Sequence, residues 1–141
     1  HELPTSIQTL EALFNEEVSN SSESLCSDVG EHFSSRHFVF IDGFFNEGAR
    51  LGGVYFADNI SHLRKLGFST SHLRYRSTRS LFRNAESLYR DVTKIFEASK
   101  KPIVLIGHSM GGGESLCLVL QHPELVLNGC IDLAILVQPA I

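Results

Sequence analysis

The residues with the most evident chemistry form a Gly-x-Ser-x-Gly motif, in which Ser109 stands between Gly107 and Gly111. The motif directly follows the apolar run 102–106 and precedes a helical pattern. This order of strand, tight turn and helix is what a nucleophile elbow requires, because the turn strains the serine and exposes its hydroxyl. A serine also needs a neighbouring base before it attacks a carbonyl. The motif therefore predicts a nucleophile at Ser109, and its base must come from elsewhere.

The glycines of the motif have a steric reason. A tight strand-to-helix turn brings the backbone against its neighbours at Gly107 and Gly111, which leaves no room for a Cβ atom. Three consecutive glycines, residues 111–113, open the following helix, although each costs about 1 kcal/mol relative to alanine in a helix interior. A glycine-rich phosphate loop is the competing interpretation, but no lysine follows at the required spacing. The elbow is the better prediction.

Strand and helix patterns alternate around the motif. The unbroken apolar run 37–41 predicts a strand covered on both faces. Further strands are predicted at 68–75, at 102–106 and at 131–137, and helices at 54–66, 80–99 and 112–121. The stripe of the second of these helices that faces the core is predicted to contain Leu81, Leu88, Val92 and Phe96. The order predicts an α/β fold, a mostly parallel sheet with right-handed crossovers and helices on both faces.

The first 36 residues have a different pattern. Apolar side chains recur at helical spacing between Ile7 and Val18, and again between Leu25 and Phe33. We therefore predict two domains, an N-terminal helical extension at 1–36 and the α/β core at 37–141.

The charges are unevenly distributed, although the formal net charge is only −4. Residues 1–47 contain nine acids and one base, whereas residues 64–101 contain ten bases and three acids. One interpretation is a basic surface for an anionic partner. The other, which we favour, is that the acidic N-terminal segment neutralises the basic helices. No aromatic residues are interleaved with the basic ones, so no nucleic-acid partner is expected.

Other function classes have little support in the sequence. No apolar run approaches the roughly 18 residues of a membrane-spanning helix, so no transmembrane segment is expected. The three cysteines lack the spacing of a metal site, and we interpret Cys117 and Cys130, which lie in apolar stretches, as packing residues. No metal and no cofactor is expected.

Residues 38–141 resemble the central part of an α/β-hydrolase, closest to bacterial lipases and esterases. The resemblance rests on the motif with Gly112 after it, on the turn at 41–44, and on the segment 122–126 before the last strand. It implies a serine hydrolase that acts on small-molecule or lipid esters through an acyl-Ser109 intermediate. The backbone amides of Met110 and Phe44 would then form the oxyanion hole.

The chain also departs from that family. Asp42 stands where lipases commonly have histidine, and we expect it to hold the turn through its own hydrogen bonds. Gln138 follows the strand after which some lipases place the catalytic acid. Five histidines are interpreted as structural and too far from Ser109 or wrongly directed: His32, His37, His72, His108 and His122.

The catalytic histidine and acid are therefore expected from sequence not present here, either a missing C-terminal segment or a second chain. Without a base the isolated chain is predicted to be nearly inactive. The edge at 131–137, left unpaired in a lone chain, should promote association. Phe44, Phe45 and Tyr55 suggest an apolar acyl or alcohol site. The alternative function is a catalytically degenerate α/β-hydrolase that acts as a binding or interaction module.

Overall fold

The structure is a computed structural model that describes residues 33–43 and 55–140. The two predicted N-terminal helices lie outside the described residues, except for the last residue of the second pattern, Phe33. Phe44 and Phe45 also lie outside them. The domain boundary between residues 36 and 37 therefore stays a prediction.

Four parallel strands form the sheet in the order β2-β1-β3-β4. Their bounds are β1 His37–Ile41, β2 Ser69–Leu73, β3 Ile103–His108 and β4 Ile131–Val137. The first and last strands have the predicted bounds. β2 is shorter than predicted because its partner β1 ends at Ile41, which pairs with Leu73.

Four helices connect the strands: α1 Ala57–Lys65, α2 Leu81–Ser99, α3 Met110–Gln121 and the short α4 Glu124–Leu127. Ser80 caps α2 by accepting a hydrogen bond from the amide of Arg83. The α3 helix begins two residues earlier than predicted, directly after Ser109. The sequence analysis did not predict α4. None of the helices in the described ranges is both long and apolar enough to cross a membrane.

The two faces of the sheet are covered by different helices. Side chains alternate along β1, so Val39 and Ile41 pack with Leu88 of α2 and Leu118 of α3. On the other face, the ring of Phe40 lies 5.1 Å from that of Phe56, the residue before α1. The prediction of an α/β fold with a parallel sheet and helices on both faces is confirmed.

The inner side of α2 is only partly as predicted. Leu88 and Val92 are buried, whereas Leu81 and Phe96 are only half-buried. Asn84 is completely buried, although a polar residue was not expected in the core.

Candidate active site

Ser109 occupies the turn between β3 and α3. Its backbone angles are φ 53° and ψ −117°, a conformation that side-chain-bearing residues rarely adopt and that costs about 1–3 kcal/mol. The residue is half-buried and is not sealed in the core. A strained serine at the carboxyl end of a parallel strand has the backbone geometry of a nucleophile elbow.

Four backbone hydrogen bonds hold Ser109 in this conformation. Its amide donates to the carbonyl oxygen of Val137, the last residue of β4, at 2.9 Å. Its carbonyl oxygen accepts from the amides of Gly112 at 3.0 Å, Gly113 at 3.1 Å and Ala140 at 2.9 Å. A strained backbone conformation persists only where the surrounding structure fixes it. Here β4, the segment after it and α3 together fix Ser109.

The two motif glycines lie where other backbone segments approach most closely. A Cβ atom on Gly107 would lie 2.7 Å from the carbonyl carbon of Gly111. One on Gly111 would lie 2.8 Å from the carbonyl carbon of Ile41 at the end of β1. Side-chain carbons do not approach backbone atoms this closely, so both positions require glycine. The glycines thereby let α3 begin directly against the ends of β1 and β3.

A hydrogen-bond donor for a developing oxyanion is present beside Ser109. Met110 is the first residue of α3, so its amide is one of those that a helix leaves unpaired at its N-terminus. We find no acceptor for this amide in the described part of the chain. Phe44, the predicted second donor, lies outside the described residues. Its neighbour Gly43 does contact the elbow, since a Cβ atom on Gly43 would lie 2.8 Å from Cβ of Ser109.

His108 is adjacent to Ser109 but is occupied by an aromatic contact. Its ring stacks on that of Tyr55, with ring centres 3.7 Å apart and planes at 9°. The hydroxyl of Ser109 has no hydrogen bond to any residue in the described ranges. His108 therefore does not form a nucleophile–base pair with its neighbour in this conformation.

Three other histidines of the described segments, His37, His72 and His122, have partners away from Ser109. His37 bonds the Ser71 hydroxyl at 2.7 Å, and His72 bonds Asp42 at 2.7 Å. At the far end of α3, His122 contacts Glu86 at 3.0 Å and Glu124 at 3.1 Å. Although burial opposes its charged form, these two carboxylates raise the pKa of His122. His32 lies outside the described residues.

Among the described residues, the contacts of Asp42 run to the neighbouring strand, and its predicted bonds to the turn that follows fall largely on residues outside the described ranges. Its carboxylate is buried, bonds Nε2 of His72 and forms an ion pair with Arg74, whose Nε lies 3.4 Å away, both on the β2 side of the sheet. The second oxygen, Oδ1, has no hydrogen-bond partner among the described residues. The contacts depend on the pairing of β1 with β2, which places the ends of these strands side by side. Asp42 thus ties the loop after β1 to the segment after β2.

Glu114 of α3 is a buried acid that the sequence analysis missed. Its side chain is 2% exposed, and its Oε1 accepts from Nδ2 of Asn84 in α2 at 2.6 Å. Its other oxygen has no partner. Burial raises the pKa of Glu114 to about 7, although the bond from Asn84 opposes this shift. The only sequence signal was an acid in the otherwise apolar stretch that follows the glycines.

A groove of about 900 Å³ lies on the sheet face that α1 covers. Its lining includes Phe40, Tyr55, Phe56, Leu63, Ile106 and Val137. Ser109 is not among the lining residues, although Tyr55 contacts the neighbouring His108. His62 of α1 lies at this groove and was not considered in the sequence analysis. The mainly apolar lining suits a hydrocarbon chain.

Comparison with protein-family models places the chain in a known family. Residues 36–136 match the family described as alpha/beta hydrolase fold. A search of curated proteins finds no significant match. The matched range contains the whole sheet except Val137 and includes the elbow.

Proposed function

This chain belongs to the α/β-hydrolase family, and we propose that it is a serine hydrolase that cleaves carboxylic esters, as lipases and esterases do. The observation that carries the proposal is the strained, half-buried Ser109 at the start of α3. Family membership supports a hydrolase-type function, and the local geometry supports serine as its nucleophile.

In the proposed reaction, Oγ of Ser109 attacks the ester carbonyl carbon as a base removes its proton. The carbonyl oxygen becomes an oxyanion beside the amides of Met110 and Phe44, and each such donor is worth about 3 kcal/mol in the transition state. Collapse of the tetrahedral intermediate breaks the bond to the alcohol, which leaves with the proton. Water then attacks the acyl-Ser109 and releases the acid.

The base and its carboxylate partner are proposed to come from outside the described residues. Four of the five histidines in the described segments support this view, because they stack on rings or bond Asp42, Ser71, Glu86 and Glu124, whereas His62 of α1 has no such contact. Loss of the base removes about 10⁶ of the rate in subtilisin, so this chain alone should be a very slow hydrolase.

The same occupied histidines favour a second candidate, a degenerate hydrolase that binds a ligand or partner without turnover. The two candidates differ in the reactivity of Ser109. A fluorophosphonate probe forms a covalent bond with an activated serine, and peptide mass mapping locates it.

We expect an adduct at Ser109 that Ser109→Ala eliminates. A matched control is Ser87→Ala, since Ser87 is on α2 and lies outside the elbow. If the probe left Ser109 unmodified in every preparation, including one to which an external base had been added, the result would favour the binding module.

A further inference from the structure

The stretch that crosses β2 is unusual in its charge. From Asn59 to Ala85 there are six Lys and Arg residues and no Asp or Glu. Four of these bases follow the carboxyl end of β2 and continue into the first turn of α2: Arg74, Arg76, Arg79 and Arg83. We call these four residues the arginine rim. In parallel sheets the carboxyl ends of the strands share one edge, so the arginine rim lies at the same edge as Ser109.

The charges of the arginine rim are poorly compensated. All four residues are exposed. Arg74 approaches Asp42 at 3.4 Å, but that carboxylate also accepts from His72 at 2.7 Å. In the described ranges the other three have no ion pair with a carboxylate. Within the described residues, the positive potential of the rim is therefore not offset by nearby acids, and an external anion could bind there.

The start of α2 adds to this potential. The first turn of a helix favours acids, because its unpaired amides form the positive end of the dipole. Here the first turn contains Arg83 and no acid. This arrangement is unfavourable in the free protein and would be relieved by a bound anion.

The loop that carries the rim is anchored to the nucleophile helix. Nδ2 of Asn84 donates to the carbonyl oxygen of Arg76 at 3.0 Å and to Glu114 of α3 at 2.6 Å. The amide of Arg79 donates to the same Arg76 carbonyl at 3.1 Å. These bonds thus fix the backbone of the loop that carries the rim relative to the helix that begins after Ser109.

The strand register sets the distance between the rim and the nucleophile. Ile41 pairs with Leu73 on one side and Gly107 on the other. One residue further along, Arg74 is level with His108 across two strand spacings, which is about 10 Å between backbones. An arginine side chain can span much of that distance. An ester held at Ser109 would therefore place a group a few bonds from its carbonyl near the arginine rim.

We propose that the ester substrate carries a compact anionic group, a carboxylate or a phosphate, that the arginine rim binds. The inference rests on the proposed function, because it assigns a charge to the substrate of Ser109. The apolar groove would take the uncharged part of the same molecule.

Binding of unreactive substrate mimics tests the inference without requiring catalysis. The probes are N-methyladipamic acid, its phosphonic acid counterpart and the neutral N,N′-dimethyladipamide, titrated against the 141-residue chain by calorimetry. We expect at least one anion to bind about five- to tenfold more tightly than the neutral diamide at low salt, and this preference to shrink as salt rises. The tighter of the two anions identifies the group.

The variant Arg76→Gln/Arg79→Gln should abolish the preference, since it removes two charges and keeps the backbone bonds of both residues. Its matched control, Arg90→Gln/Lys94→Gln, removes two charges further along α2 and should retain it. Thermal unfolding of each variant checks that the fold is intact.

Equal affinity for anionic and neutral probes would overturn the inference, as would an equal loss in both double variants. Phosphonate modification of Ser109 is measured separately. A reactive Ser109 without anion preference refutes this inference alone, whereas anion preference with an unreactive Ser109 refutes the proposed hydrolysis and leaves the anion site.

Discussion

The elbow and the outer side of β4 are neighbouring regions that differ in how fully their residues are held by contacts with the rest of the described chain. At the elbow, Ser109 is fixed by four backbone hydrogen bonds, and two glycines permit close contact of three segments. In the described chain β4 pairs only with β3, and its Leu133 and Ile135 are 43% and 42% exposed. Local backbone contacts thus fix the conformation of Ser109, whereas in the described residues no contact covers the outer side of β4.

The largest expected effect is that of a substitution in the elbow. Gly111→Ala would place a Cβ atom 2.8 Å from the Ile41 carbonyl carbon, where backbone cannot yield easily. We expect a loss of about 3 kcal/mol in the free energy of unfolding, together with loss of Ser109 modification. Chemical denaturation measures the first and mass mapping the second.

Gly67→Ala is the control for this substitution. Gly67 has φ 85° but no atom within 4 Å of an added Cβ, so only backbone strain is expected, about 1 kcal/mol. If both variants lost the same stability, close packing of the elbow would not be the reason for Gly111.

A second effect concerns the acid buried behind the elbow. The pKa of Glu114 is raised from 4.5 to about 7, so the folded state holds this proton more tightly than the unfolded state. The free energy of unfolding should therefore decrease by about 3 kcal/mol as pH rises from about 4.5 to 7, and this contribution is constant above that range. Glu114→Gln removes it.

We accordingly expect Glu114→Gln to be more stable than the natural chain at pH 8 and equal to it near pH 4.5. Denaturation at a series of pH values measures the difference. The control is Glu97→Gln, which changes an exposed acid on α2, the helix that also contains Asn84. It should leave the pH dependence of the free energy of unfolding unchanged. A pH-independent difference for Glu114→Gln would contradict a neutral buried acid.

The smallest effect on stability is expected at β4. Leu133→Lys/Ile135→Lys replaces two exposed apolar side chains, so the free energy of unfolding should change by no more than about 0.5 kcal/mol per site. Self-association, measured by sedimentation velocity, should nevertheless decrease, because lysines on an edge strand oppose pairing. Leu127→Lys, in α4 and not on the edge strand, at a site that is 86% exposed, should leave association unchanged.

The sequence predicted the features that depend on neighbours along the chain. The apolar run of β1, the helix predicted at 80–99 and the strand–turn–helix order at Ser109 are local patterns, and the structure contains each of them. Contacts between distant residues were not predictable in this way. The bond between Asn84 and Glu114 joins residues 30 apart, and each would ordinarily be placed on a helix surface.

The register in which the strands pair was likewise not predictable from the sequence. The contact of Asp42 with His72 exists because β1 and β2 pair with their ends level, which a single sequence does not specify. The oxyanion role of Met110 and Phe44, and the catalytic role of Ser109, stay proposals.

Reaction of the chain with a fluorophosphonate at increasing imidazole concentration tests the central claim most directly, because free imidazole can replace the base that the described residues do not provide. We predict slow modification that is confined to Ser109, accelerates with imidazole and disappears in Ser109→Ala. Modification spread over several serines, or a Ser109 rate that does not respond to imidazole, would contradict the view that the elbow holds a nucleophile awaiting its base.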